Sequence, residues 1–156
     1  MLTGRWDPAV GTWADVDPSG AVTSVVRTLD PLVASLVVDD VAQCTTALDQ
    51  LVDTSAFGAR FGPAGVHRGE AVRDPDRYWR GPSWPQLSYL LWLAGRRWDH
   101  PAAAVVAEGL VGGAVASGWG EYWNPDTGTT TGAAPQSWTG VAAVVAEWIG
   151  RQAERG

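Results

Sequence analysis

The sequence predicts an all-α fold of antiparallel helical hairpins with a small β-hairpin near the N-terminus. Three observations support this prediction. Apolar residues recur at helical spacing in several separate stretches, and helix-start signals precede those stretches. The aromatic segment with turn signals near the N-terminus is too short for more than a small hairpin. The 156 residues suffice for one hydrophobic core, so we expect residues 1–156 to form a single domain.

The aromatic segment spans residues 5–17. Its turn signals, Asp7-Pro8 and Gly11, separate two short stretches that each contain a tryptophan. This pattern predicts a small β-hairpin or an extended excursion.

Two helices are predicted next. The first begins at Asp30-Pro31, with Asp as the N-cap and Pro at the first helical position. The second follows Asp39 and Asp40. Its apolar face repeats at helical spacing: Val41, Cys44, Thr45, Leu48, Leu51 and Val52. Because so few residues join the two helices, we expect them to pack as an antiparallel pair.

A long connection over residues 53–77 leads to a second helical pair. Pro82 or Pro85 is expected to begin the third helix, and Gly95 to end it. Residues 99–101 are expected to begin the fourth. Its buried face should contain Val105, Val106, Gly109, Leu110 and Gly113.

A second long loop covers residues 118–134, and a last helix follows it. Ser137 is its expected N-cap. The apolar residues of this helix recur at helical spacing: Val141, Val144, Val145, Trp148 and Ile149. Since the helices are paired, the two long loops should lie at the same end of the assembly.

Composition excludes several classes of function. The net charge is −6 and all eleven basic residues are arginine, which argues against binding to nucleic acid or to an anionic membrane. The N-terminus has no apolar run typical of a signal sequence, and no stretch approaches the roughly 18 apolar residues of a membrane span. We therefore expect a cytoplasmic protein, with no metal and no cofactor.

Tryptophan is unusually frequent, with ten residues against two phenylalanines. An indole suits stacking on a sugar ring or anchoring an interface, but it also packs well in a core. The tryptophans concentrate in residues 78–86, in 118–128 and in 136–139. If the long loops share one end of the fold, these segments face each other across a common mouth.

Glu121 is the candidate catalytic residue of this mouth, because it lies among Trp119, Tyr122 and Trp123. A carboxylate held there could accept a proton from water, with Arg80 on the other loop as its partner. Alternatively, Glu121 caps a turn or only pairs with Arg80. The candidate sugar-binding residues are Trp79, Arg80, Trp84, Gln86, Tyr122 and Trp138. The alternative for the tryptophans is the core, and for Gln86 a helix cap. For Arg80 the alternative is a purely structural role that ties the loop to a helix C-terminus.

Two motifs carry a family resemblance. Residues 78–91, YWRGPSWPQLSYLL, resemble the YWRGPxWPxxNYLL signature of glycoside hydrolase family 63. Residues 121–128, EYWNPDTG, with 137–139, SWT, resemble the later EYxxPxTG…SWTA signature of the same family. The family includes α-glucosidases and the mannosylglycerate and glucosylglycerate hydrolases, and trehalases are distant relatives.

The resemblance implies an (α/α)6 toroid, a ring of six helical hairpins, whose enzymes invert the anomeric carbon. It implies that Glu121 is the general base. It also implies that Trp79, Arg80, Trp84 and Trp138 line the sugar subsite.

The match covers only the carboxy-terminal part of such a toroid. An inverting glycosidase needs two carboxyl groups about 6.5–9.5 Å apart, and the segment that bears the general-acid Asp in the family has no counterpart here. Asp74 and Asp76 lie near the first motif, but the resemblance assigns neither as the acid.

We therefore expect the base-bearing part of an inverting hydrolase of α-glucosides or related glycosides, inactive without an upstream segment. The alternatives are a carbohydrate-binding domain without hydrolysis and a helical interaction domain. A partial ring would expose apolar helix faces, so association with a complementary half or self-association is also expected.

Overall fold

Four α-helices, three 3-10 helices and one two-stranded sheet make up the part of the chain that the computed structural model describes, residues 6–17, 19–22 and 26–154. The strands are β1, Trp6–Asp7, and β2, Thr12–Trp13. The α-helices are α1, Val41–Asp49; α2, Pro85–Arg97; α3, Ala102–Ala116; and α4, Val141–Ala153. The 3-10 helices are Asp30–Leu36, Tyr78–Arg80 and Ser137–Gly140.

The predicted β-hairpin is confirmed, apart from residue 5, which lies outside the described ranges. Trp6 pairs with Trp13 and Asp7 with Thr12 in antiparallel register. Gly11 closes the turn at φ +67°, which is a left-handed conformation that favours glycine, and its N–H donates to the Asp7 carbonyl at 2.9 Å.

The first predicted helix is shorter and tighter than expected. Asp30–Leu36 is a 3-10 helix of seven residues, and its cap position is Leu29 rather than Asp30. This is a long run for a 3-10 helix, since most are no longer than three or four residues. The next helix, α1, begins as predicted, because the Asp40 carboxylate accepts a hydrogen bond from the backbone N–H of Gln43 at 3.0 Å.

The predicted second pair of helices, α2 and α3, is confirmed except for the residue at which α2 ends. Pro85 begins α2 as predicted, but Gly95 does not end it. A Cβ on Gly95 would lie 2.7 Å from the backbone nitrogen of Ala103, so this glycine allows α2 and α3 to approach closely. Asp99, at φ +49°, makes the turn instead.

Three helical valines predicted on buried faces are exposed, and the first is Val41 on α1, at 62%. Val105 on α3 is 41% exposed, because the neighbouring Val106 takes the buried position. Val144 on α4 is 51% exposed, and Val145 is buried. On α3 and α4 a pair of adjacent valines leaves the buried face ambiguous by one residue, which is about 100° around a helix.

The last helix has a different cap from the one predicted. The cap position of α4 is Gly140, which has no side-chain cap bond. Gln136 caps the preceding 3-10 helix, where its side-chain oxygen accepts a hydrogen bond from the Ser137 N–H at 2.9 Å. Ser137 begins the 3-10 helix that leads into α4. No helix in the described ranges is long and apolar enough to cross a membrane.

The core lies between α2, α3 and the elements packed against them. Its fully buried apolar side chains include Leu29, Leu32, Leu48, Leu51, Leu91, Val106, Leu110 and Val145. This core holds the ends of α2 and α3 in fixed positions, and the two tryptophan-rich loops adjoin those ends.

Candidate functional site

The two tryptophan-rich loops are joined directly through their main chains. The Ser83 N–H donates to the Trp123 carbonyl at 2.8 Å, and the Trp123 N–H donates back to the Ser83 carbonyl at 3.2 Å. This antiparallel bridge brings the segment before α2 beside the segment after α3. The common mouth that the sequence predicted is therefore present.

Five aromatic rings cluster beside this bridge, with Trp84 at the centre. Trp79 stacks on Trp84, with ring centroids 3.9 Å apart and planes 11° from parallel. Three other rings surround Trp84 at centroid distances of 4.8 Å for Tyr122, 5.0 Å for Tyr78 and 6.4 Å for Trp138. The structure thus unites four of the predicted sugar-binding residues and adds Tyr78, the first residue of the first motif.

The cluster has a buried floor and an exposed rim. Trp84 is 1% exposed and Tyr122 is 7% exposed, so these two rings support the others. Trp79 is 55% exposed, Tyr78 46% and Trp138 39%. Only the rim rings present a broad aromatic surface to a ligand.

Glu121 is positioned through its main chain, while its carboxylate is unengaged. Its N–H donates to the Ala133 carbonyl at 2.8 Å, and its own carbonyl accepts from the Trp138 indole N–H at 3.2 Å. Throughout residues 26–154, no side chain forms a hydrogen bond or an ion pair with the Glu121 carboxylate. A half-buried carboxylate without a partner can accept a proton from water.

Arg80 does not pair with Glu121, which corrects the expectation from the sequence. Its Nε donates to the Val72 carbonyl at 3.0 Å, and its own carbonyl accepts from the Asp74 N–H at 2.7 Å. Arg80 therefore fastens the turn before Trp84 to the preceding loop.

Gln86 lies in the first turn of α2 and is half-buried. Its side-chain oxygen is buried and has no hydrogen-bond partner within the described part of the chain. Gln86 does not act as the helix cap that the sequence left open, because the cap position belongs to Trp84 and has no side-chain hydrogen bond.

A polar network that the sequence analysis missed fixes the rest of the Glu121 loop. Asp126 accepts hydrogen bonds from Arg68 and Arg73, the second at 3.1 Å. Asn124 donates from Nδ2 to the Asp76 carboxylate at 2.7 Å. These contacts tie the loop to residues 67–77, which are more than 45 positions away, so no local pattern could have revealed them.

The Arg68 guanidinium beside Asp126, assisted by Arg73, lowers the pKa of the Asp126 carboxyl below its ordinary value of 3.8. A carboxyl group whose pKa is lower in the folded state than in the unfolded state stabilises the fold at pH values above the unfolded-state pKa. This contribution is lost as the pH falls through the folded-state pKa.

We expect Asp126→Asn to reduce the free energy of unfolding at pH 7, and this difference from the wild type to shrink as the pH falls below about 4. Because the Asp126 side chain is 41% exposed, the loss should be below about 1 kcal/mol. Urea unfolding at several pH values measures it. In a chain that already contains Arg68→Gln and Arg73→Gln, the Asp126→Asn effect should no longer vary with pH; a persistent variation would contradict the assignment.

No group of three or more His, Cys, Asp or Glu side chains in the described ranges is arranged to hold a metal ion. A cavity of about 250 Å³ lies beside the hairpin, lined by residues that include Trp13, Arg27 and Pro31. None of the predicted site residues lines it.

Comparison with known proteins identifies the family. Residues 1–139 match the family described as the mannosylglycerate hydrolase MGH1-like glycoside hydrolase domain. The chain belongs to this glycoside hydrolase family. A curated glucosylglycerate hydrolase from Mycolicibacterium hassiacum is 44% identical over 78 residues, which are 49% of this chain and 17% of that enzyme.

Solved structures of the GH63 mannosylglycerate hydrolase from Thermus thermophilus share the fold of this glycoside hydrolase chain. The complex with glucose superposes with a TM-score of 0.79 at 23% identity, over 94% of this chain and 35% of that one. The complex with Tris gives 0.78 at 25% identity, over 95% and 36%. The predicted relationship and fold class are confirmed, and the chain spans about a third of the length of these structures.

Proposed function

We propose that this chain forms the water-activating side of a glycoside hydrolase site for α-linked glucosyl- or mannosylglycerates, with Glu121 as the general base. One observation carries the proposal: the Ser83–Trp123 main-chain bridge holds an exposed aromatic rim beside an unpaired carboxylate. The substrate class follows from the names of the relatives, a glucosylglycerate hydrolase and a mannosylglycerate hydrolase.

The aromatic rim suits the sugar. Trp79 and Trp138 present indole faces on which the apolar face of a pyranose ring can stack. Trp84 lies beneath Trp79 and keeps it in place. The Trp138 indole N–H also donates to the Glu121 carbonyl. Trp138 therefore both offers a face to the sugar and helps to position the residue that activates water.

In this mechanism the Glu121 carboxylate takes a proton from a water molecule, and the water oxygen bonds to the anomeric carbon as the bond to the glycerate oxygen breaks. The leaving oxygen receives a proton from a second carboxyl group about 6.5–9.5 Å from the first. We assign that acid to a part of the toroid that this chain does not span. Asp76 and Asp126 are already held by Asn124 and by two arginines.

A second candidate function is sugar binding without hydrolysis. The exposed rim favours it, because Trp79, Tyr78 and Trp138 offer stacking surface whether or not an acid is present. The two functions differ only in turnover.

A chimeric enzyme tests both. This chain would replace the matching segment of the Mycolicibacterium hassiacum glucosylglycerate hydrolase, which supplies the remainder of the ring. We expect the chimera to release glucose from glucosylglycerate, and that hydrolase without the segment to release none. A folded chimera that binds the glycoside without turnover would support the second function, and a folded chimera that does not bind it would refute both.

A further inference from the structure

Trp119 adopts a backbone conformation that its side chain disfavours. Its φ is +64°, between Gly118, which has the same φ, and Gly120. For a bulky residue the left-handed region is an outlier, whereas glycine and asparagine enter it readily. A sequence selected only for a stable turn would not place tryptophan there.

The surrounding main chain imposes this conformation. The Trp119 N–H donates to the Ala114 carbonyl at the end of α3 at 2.7 Å, and the Trp119 carbonyl accepts from the Gln136 N–H at 2.8 Å. The next residue is held as well, because the Gly120 carbonyl accepts from the Thr139 hydroxyl at 2.7 Å. The strain is therefore stored at a position that two helices hold fixed.

The Trp119 indole has no polar or aromatic partner in the described part of the chain, although more than half of the residue is covered. Trp119 is 41% exposed, and its ring makes no hydrogen bond or aromatic contact with any residue in the described ranges. It lies two residues before Glu121, on the loop whose Glu121 carbonyl is bound by the rim residue Trp138. A strained, exposed aromatic residue beside a candidate catalytic carboxylate indicates a side chain kept for contact with a ligand.

We propose that Trp119 is a further substrate-contacting residue, whose indole stacks on the pyranose ring of the glycoside at Glu121. This assignment rests on the proposed function and adds to the aromatic rim a ring from the loop that carries Glu121. It also names what the contact recognises, which is the sugar ring and not the glycerate.

The test is a titration of the whole 156-residue chain, with ¹⁵N-labelled indoles observed by NMR. The probes are glucosylglycerate and, as the matched ligand control, D-glycerate, which has no pyranose ring. Trp119→Leu should weaken glucosylglycerate binding about fivefold, whereas Trp119→Phe, which keeps an aromatic face, should stay within about twofold of the wild type. Both variants should leave any D-glycerate affinity unchanged.

A third variant separates a ligand contact from a structural role. Trp119→Asn suits the left-handed conformation, and this gain offsets the lost packing of the partly covered indole. We therefore expect its Tm to stay within about 4 °C of the wild type while glucosylglycerate affinity falls as in Trp119→Leu. A larger fall in Tm with unchanged glucosylglycerate affinity would show that the indole serves the fold and not the ligand, and would overturn the proposal.

Equal glucosylglycerate affinity in the wild type and Trp119→Leu would overturn the Trp119 assignment alone. If sedimentation showed that the same substitution instead disrupts self-association, the indole would contact a second copy of the chain, and the assignment would again fail. A wild-type chain that binds no glucosylglycerate would overturn the Trp119 assignment, whereas the chimera decides the proposed function.

Discussion

Glu121→Gln is expected to lower the kcat of the chimeric hydrolase by about 10²–10⁴-fold, the usual contribution of a general base. The amide keeps the shape of the side chain but cannot take a proton from water. Because Glu121 is positioned through its main-chain N–H and carbonyl, the substitution leaves those hydrogen bonds intact. Sugar affinity should therefore change by no more than about twofold. Steady-state kinetics on glucosylglycerate, with binding measured separately, distinguishes the two effects.

The matched control is Glu108→Gln, which removes the same charge from an exposed position on α3. It should leave kcat unchanged. Azide, a nucleophile that needs no deprotonation, should restore turnover to the Glu121→Gln chimera and have no such effect on the control. Full activity in Glu121→Gln would remove this residue from the mechanism.

Gly113→Ala is expected to destabilise the fold by about 3 kcal/mol, at the upper end of the usual overpacking range. A Cβ at this position would lie 2.2 Å from Nε1 of Trp123, which is fully buried and donates to the Phe61 carbonyl. Either the indole must leave its site or α3 must move. Chemical denaturation of the purified chain measures the loss.

The adjacent glycine provides the control. Gly112→Ala would place its Cβ 3.7 Å from the Phe61 ring, an ordinary contact, within the same helix. It should stabilise the protein by about 0.5–1 kcal/mol, because alanine loses less conformational freedom than glycine in a helix. Equal effects at the two positions would show that the close approach to Trp123 is not what requires Gly113.

The sequence could predict those features that local chemistry determines. Pro85 begins α2 and α1 follows Asp40, both as predicted, since each signal acts within one helical turn. Gly95 shows where such reasoning ends. A glycine near the end of an apolar run predicts a helix stop. In the structure, however, Gly95 lies within α2, where the absence of a side chain allows Ala103 on the next helix to approach closely.

The site was predictable in its composition and only partly in its arrangement. Trp79 and Trp84 lie in the same motif, and nothing in the sequence distinguishes their burial. In the structure Trp79 is 55% exposed and Trp84 is 1% exposed. A loop has no regular period from which the buried side chains could be predicted. Tertiary contacts alone therefore decide which tryptophan is buried in the floor of the cluster and which is exposed at its rim. The same limit applies to Arg80, whose partner proved to be the Val72 carbonyl eight residues earlier rather than Glu121.

The join between Ser83 and Trp123 uses only peptide groups. Any residue other than proline can supply the same donor and acceptor, so substitutions of the rim side chains need not undo the join. Side chains of the rim can thus be exchanged while the loop that carries Glu121 keeps its main-chain support.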